Sequence, residues 1–293
     1  MTNNWELNKK LPNQVNQEII NDFLLSLKLE NRSEKTIYYY RYFLERFFGD
    51  MIEPYSSISS ETILQWFFAN QSHLKEVSLH SRLSILSSFF TFCIKEELLL
   101  KSPIKSRWYP RLPKSVPKYL EKGELAITRL QAESLSPRNR LMVEFLLTSG
   151  CRVSEIAGLN WEDVDIANRT ARVLGKGKKV RQVHFTEKCA VLFERYLNYH
   201  KYKTGAIFVS SIGARLGIRR IQIIINELGQ NAELSSRLFP HRFRHSFATE
   251  LLAKGAELSF IADELGHNDL GTTKIYAQLP KQEIISLYRK FMG

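Results

Sequence analysis

Prolines divide this chain. Four of its nine fall between residues 103 and 118, in the stretch PIKSRWYPRLPKSVPK. Each proline fixes its own φ and lacks a donor N–H, so neither a continuous helix nor a central strand can cross such a segment. The stretch therefore reads as a stiff connection with a separate folding body on either side. With 293 residues the chain is long enough for two domains of ordinary size, and a hydrophobic share of 44% is enough to give each a core.

On the N-terminal side, residues 1–14 are polar and Asn-rich and read as a tail. Residues 15–106 read as helical. Ile19, Ile20, Phe23, Leu24 and Leu27 recur at helical spacing. A second helix is expected to start at Ser33, a residue type suited to an N-cap, and to run to Gly49. The segments 61–70 (ETILQWFFAN) and 78–99 (SLHSRLSILSSFFTFCIKEELL) supply a third and a fourth. The aromatic stripe Tyr39, Phe43, Phe47 and Phe48 is expected to face the core of this small all-α domain.

Beyond the linker, set at 107–118, residues 119–293 mix patterns. Helices are expected near 121–133, 137–149, 186–201, 217–230, 241–254, 258–265 and 281–291. Between the second and third of these, residues 164–185 (VDIANRTARVLGKGKKVRQVHF) alternate, with turn signals at Ala167-Asn168 and Gly175–Lys178. That pattern predicts a small three-stranded antiparallel sheet. The fold class is then mainly α: a four-helix domain followed by an α+β domain.

Lys and Arg outnumber Asp and Glu by 42 to 30, for a net charge of +12. Residues 1–118 carry 16 basic and 12 acidic side chains, leaving 26 and 18 for the remainder, so both parts are basic. Such a balance suits a polyanion, because neutralised phosphates release their counterions. Cys93, Cys151 and Cys189 are odd in number and scattered, which fits neither a disulfide framework nor a zinc site. No uninterrupted apolar run spans a bilayer and the first residues lack a signal pattern, so a cytoplasmic protein without a membrane partner is expected.

One set of residues carries chemistry. Arg152 lies in Gly150-Cys151-Arg152-Val153-Ser154-Glu155, and Lys176 lies between Gly175 and Gly177 on the hairpin tip. His241 and Arg244 stand at i and i+3 on one helix, so they share a face, and Pro240 suits the first turn. His267 follows Gly266, and Tyr276 follows on a Thr-rich segment. Arginines clamp non-bridging phosphate oxygens bidentately, a tyrosine can be a nucleophile, and histidine and lysine can move protons. Together these groups suit covalent attack on a phosphodiester. Glu155, three residues after Arg152, can fix the plane of its guanidinium. His245 lies about 100° round the helix from Arg244 and reads as structural. No metal-ligand spacing and no Walker-type loop is present, so neither metal nor cofactor is expected.

The order Arg…Lys…His-x-x-Arg…His…Tyr, with the segments TSGCRVSEIAGLNWEDVD, VLGKGKKVRQVHF, PHRFRHSFATELL and LGHNDLGTTKIYA, resembles the tyrosine recombinase (phage integrase) superfamily. Its Xer-like and transposon-resolvase members are the most similar, strongly over residues 119–280 and weakly before them. The resemblance implies a SAM-like core-site DNA-binding domain at 15–106 and a catalytic domain at 119–293. It makes Tyr276, one of 12 tyrosines, the nucleophile that forms a 3′-phosphotyrosine. It gives His267 a hydrogen bond to the reacting phosphate. Lys176 becomes the acid that protonates the leaving 5′-oxygen, with Lys178 and Lys179 as rivals on the same hairpin. Relatives pack a C-terminal segment into a neighbouring protomer, and the apolar stripe Ile284, Ile285, Leu287 and Phe291 in 281–293 suits that exchange.

The implied partners are double-stranded DNA with roughly palindromic core sites and further copies of the chain, a dimer on one site and a tetramer across two. Lys35, Arg82, Arg107, Arg111, Lys114, Lys178 and Arg242 are the candidate contacts to that DNA. Two other classes share parts of this pattern. A type IB topoisomerase uses the same chemistry, and a DNA-binding protein that has lost catalysis would keep only some of the residues.

Overall fold

The computed structural model describes residues 5–112, 118–175, 179–199 and 204–266. The chain divides into two compact units, Met1–Lys114 and Ser115–Gly293.

The first unit is helical. Helices α1 (Gln14–Leu29), α2 (Glu34–Phe48), α3 (Ser60–Gln71) and α4 (Glu76–Lys95) follow one another. Three begin on side-chain caps: Asn13 accepts from the Asn16 N–H, Ser33 from Thr36 and Ser59 from Thr62, each at 3.1 Å. These bonds satisfy donors that a helix start leaves without partners. Phe47, Phe48, Phe89 and Phe90 are fully buried beside Leu24, Ile37 and Leu44. The rings meet edge to face, Phe48 with Phe89 at 5.2 Å and Phe47 with Trp66 at 4.9 Å. Helix α4 has the length and composition of a membrane span, yet Leu83, Leu86, Phe89, Phe90 and Cys93 on it fill this core.

Tyr39 departs from the expected stripe, being 53% exposed. The inward line of α2 is Ile37, Arg41, Leu44 and Phe48. Tyr39 lies two residues past Ile37, about 200° round the helix, and so faces out.

The second unit is built around helix α6 (Pro137–Ser149), preceded by α5 (Lys122–Ala132). Leu141, Met142, Val143, Phe145 and Leu146 are all buried, so α6 is covered on every side. Pro137 opens it, and Gly150 closes it at φ +60, where a side chain would meet the Phe247 ring. Helix α7 (Val153–Gly158) leads to the sheet. Strands β1 (Val164–Asp165), β2 (Thr170–Leu174) and β3 (Val180–His184) pair antiparallel in the order β1-β2-β3, with Val173 opposite Arg181 and Ala171 opposite Val183. Helices α8 (Glu187–Tyr199), α9 (Ile218–Asn231), α10 (Pro240–Ala253) and α11 (Leu258–Leu265) complete the described residues. The mainly helical fold with a small three-stranded sheet is the one that the patterning predicts. Strand β1 is short because the turn at 166–169 follows it at once.

Candidate active site

Three chain ends converge in the second unit: the end of α6, the start of α10 and the end of α11. The left-handed Gly150 turns the chain out of α6 so that Arg152 becomes the N-cap residue of α7, with Glu155 at its third position. The Glu155 carboxylate reaches back to the Arg152 backbone N–H at 2.8 Å and to its guanidinium at 2.9 Å. One acidic side chain thereby starts the helix and fixes the plane of the arginine. The Glu155 side chain is fully buried, while that of Arg152 is 28% exposed. The carboxylate is inside and the guanidinium is at the mouth.

Arg244 is anchored differently. It is 3% exposed and donates to the Gly150 carbonyl at 2.7 Å and to the Leu265 carbonyl at 2.6 Å. It therefore ties the end of α6 to the end of α11. His241, one turn earlier on α10, is exposed. Partial burial lowers its pKa, and the charges of Arg244 and then Arg152 push it the same way. Both arginines expected to hold phosphate thus add to the effect of burial on one imidazole. His245 is pushed down to about 4, by burial first and then by His241 and Arg244.

Glu155 shows the opposing case. Burial alone would raise its pKa, but bonds and charge from Arg181 and bonds from Arg152 hold the carboxyl below the usual range. Cys151, beside Arg152, is buried, and burial pushes its thiol up to about 12. It takes no part as a thiolate near neutral pH.

Arg242 is a correction. It was a candidate contact to DNA, yet it is 2% exposed and its fork turns inward. It donates to the Ser236 carbonyl at 3.1 Å, the Tyr119 carbonyl at 3.1 Å and the Glu124 carboxylate at 2.7 Å. Its position on α10 aims it at the chain entering this unit, two residues round the helix from Arg244. Lys35, Arg107 and Arg111 are exposed, and the Lys35 ammonium lies 5.9 Å from the Tyr39 ring. Arg82 is half-buried over the Phe43 ring, and burial lowers its pKa, with Arg46 adding to the effect. Lys114, Lys176, Lys178, His267, Tyr276 and the segment 281–293 lie outside the described residues. Among the described residues no cluster of His, Cys, Asp or Glu has a metal-holding arrangement.

Arg181 was not singled out from the sequence. Its side chain is 13% exposed and donates to Glu155 at 2.8 Å. The available signal was the alternation of β3, where Arg181 falls in register with buried Val183 on the inward face. A charged residue at an inward strand position calls for a buried partner.

Comparison with known proteins agrees with this architecture. The family model described as "Phage integrase family" matches residues 121–283, and that of the "Phage integrase, N-terminal SAM-like domain" matches 20–97. Tyrosine recombinase XerC of Halalkalibacterium halodurans is 33% identical over 295 residues, covering 94% of this chain and 97% of that protein. XerC of Actinobacillus pleuropneumoniae is 33% identical over 81% of this chain and 79% of the relative. Among solved structures, the XerA recombinase aligns with a TM-score of 0.57 at 27% identity, over 95% of this chain and 99% of that one. The Tn1549 transposon integrase shares the fold at a TM-score of 0.76 with 16% identity, over 97% and 100% of the two chains. A SAM-like helical unit, followed by a unit in which Arg244 is tied to the turn that carries Arg152, defines the class. The chain belongs to the phage integrase family and is a tyrosine recombinase, an enzyme of site-specific DNA recombination.

Proposed function

We propose that this recombinase cuts and rejoins DNA strands through a 3′-phosphotyrosine on Tyr276. The observation that carries the reading is the bond from Arg244 to the Gly150 carbonyl at 2.7 Å, which ties the helix bearing His241 to the turn that bears Arg152. Two guanidinium groups supply what a pentacoordinate phosphate needs, since negative charge grows on its non-bridging oxygens in the transition state.

In the proposed step the Tyr276 Oη attacks phosphorus while the bond to the 5′-oxygen breaks. His241, whose pKa is lowered by burial and then by its charged neighbours, accepts the phenolic proton, and Lys176 gives a proton to the leaving 5′-oxygen. His267 adds a hydrogen bond to the phosphate. Ligation is the reverse, with a 5′-hydroxyl attacking the phosphotyrosine. The ester linkage is conserved throughout, so the scheme requires neither nucleotide nor metal.

The partner in this reading is double-stranded DNA with roughly palindromic core sites. Solved relatives of the same fold include XerH bound to difH substrate, at a TM-score of 0.70 and 20% identity. Residues 15–106 would grip the core site, 107–118 would link, and 119–293 would react. Lys35, Arg107 and Arg111, all exposed, are the candidate phosphate contacts among the described residues. A dimer would occupy one site and a tetramer two, with 281–293 exchanged between protomers. The outcome would be dimer or cointegrate resolution, or the integration and excision of a mobile element.

The test is covalent trapping. A nicked duplex, selected from a randomised pool by its gel shift with the full chain, should yield a protein–DNA adduct on a denaturing gel. Tyr276→Phe should shift the same duplex and form no adduct. An adduct that survives in Tyr276→Phe, or its absence in the unaltered protein, overturns the reading.

A further inference from the structure

The Glu155 carboxylate holds Arg152 in place, but this arrangement contains a conflict. A fully buried carboxylate paired with one guanidinium would cancel the charge that Arg152 is to offer a phosphate. A second cation resolves it. Arg181 on β3 donates to Glu155 Oε2 through Nη2 at 2.8 Å and faces Oε1 through Nε at 3.5 Å. Two guanidinium groups then share one carboxylate, and a net positive charge remains at the exposed one, Arg152.

The third arm of the Arg181 fork matters as much. Its Nη1 donates to the Glu264 carbonyl, next in sequence to the Leu265 carbonyl that receives Arg244. Consecutive carbonyls at the end of α11 are therefore each held by a different guanidinium. Gly266 follows at φ +62, and a side chain there would stand 2.5 Å from Arg181 Cδ. The glycine leaves room for the arginine and sits immediately before His267.

We propose that Arg181 is a positioning residue of the recombination reaction. It acts through Glu155 as the counter-charge that keeps Arg152 oriented yet electrostatically available to the scissile phosphate. The proposal rests on the phosphotyrosine reading above, because it needs Arg152 to face the reacting phosphate. Arg181 itself touches no substrate.

The experiment measures single-turnover adduct formation by the full chain on the selected nicked duplex, alongside gel-shift affinity. Arg181→Gln and Glu155→Gln should each slow the adduct by about tenfold or more with affinity unchanged. The double variant should be no slower than the slower single, because both changes break the same connection to Arg152. Rates that multiply, or rate and affinity falling together, would sink the proposal.

A duplex with sulfur at the 5′-bridging position gives a second readout. The better leaving group needs no proton, so it should rescue Lys176→Ala and leave Arg181→Gln slow. Rescue of Arg181→Gln would mean that it serves the hairpin lysine instead of Arg152. Should Arg181→Gln not fold by thermal melting, Arg181→Lys takes its place in the cycle with Glu155→Gln. It keeps charge beside the carboxylate but loses the planar fork, and an intermediate rate is expected. A wild-type rate in Arg181→Lys with unchanged affinity would refute the need for the fork. Failure of the unaltered chain to form any adduct is the separate outcome that counts against the phosphotyrosine reading.

Discussion

Among the described residues, the unit ending at Lys114 buries one pair of charged side chains, Arg41 with Glu45, whereas the unit beginning at Ser115 buries Glu144, Glu155, Arg242, Arg244 and Glu264. The first core is a set of edge-to-face phenylalanines. The second is a mixed aliphatic and aromatic core bordered by guanidinium–carboxylate and guanidinium–carbonyl bonds. Burying charge costs free energy unless every charge is paired, so ion networks are a poor way to gain stability. Their concentration in the second unit marks where orientation is worth more than stability. The helical unit needs a shape, and the second unit needs particular atoms at particular points.

That contrast breaks most visibly if a core substitution in the first unit alters chemistry. Phe89→Ala should lower stability by about 4 kcal/mol, because Phe89 is fully buried against Phe23, Phe48 and Phe90. Denaturant unfolding followed by single-turnover trapping separates the two effects. The adduct rate from the folded, DNA-saturated fraction should stay at the unaltered value, and a slower rate would show that the aromatic core tunes the reaction.

The reverse experiment concerns the site. Arg152→Lys and Arg244→Lys should each remove about 3 kcal/mol of transition-state stabilisation, on the order of a hundredfold in adduct rate. Lysine keeps the charge but cannot span two oxygens or two carbonyls. Gel-shift affinity should change far less. Parallel loss of binding and rate would make these arginines holders of DNA only.

Two residues before Arg244 on the same helix, Arg242 sharpens the comparison inside the second unit. Arg242→Met should cost about 2 kcal/mol of stability, because it removes the bonds to the Tyr119 and Ser236 carbonyls and to the Glu124 carboxylate. Its effect on gel-shift affinity should be negligible. A loss of affinity at unchanged stability would restore it as a DNA contact.

Much of this was legible because amphipathic helices repeat locally. Ser33, Pro137, Gly150 and Gly266 announce helix ends through backbone rules that act within a few residues. Helix α6 has no amphipathic face, being covered all round, yet Pro137 and Gly150 still bracket it. Tyr39 misleads because an aromatic in a helix full of aromatics looks internal until its angle from Ile37 is counted. Arg181 and Arg242 were illegible in their roles for another reason. Their partners, Glu155, the Glu264 carbonyl and Glu124, lie between 26 and 118 residues away, and such pairings leave no periodic trace. The candidate set stood out as a list of residue types in order. The placing of its described members Arg152 and Arg244 came from buried bonds that only the folded chain brings together.

The smallest effect tests the electrostatic side of the same contrast. His245 is held at about 4, against an ordinary value of 6.5. Between those values the unfolded chain binds a proton that the folded one refuses, so stability should fall as pH drops from 6.5 toward 4 and level off below. His241 is shifted in the same direction and adds to the slope. Glu155, shifted down from 4.5, loses its stabilising contribution only as pH falls below that value. The window from 6.5 to 4.5 thus isolates the histidines from this carboxylate. His245→Asn should flatten the acid-side loss there, read by urea unfolding at a series of pH values, while His241 keeps part of the slope in place. An unchanged slope in His245→Asn would mean that neither burial, the larger cause, nor its charged neighbours on α10 depress this ring.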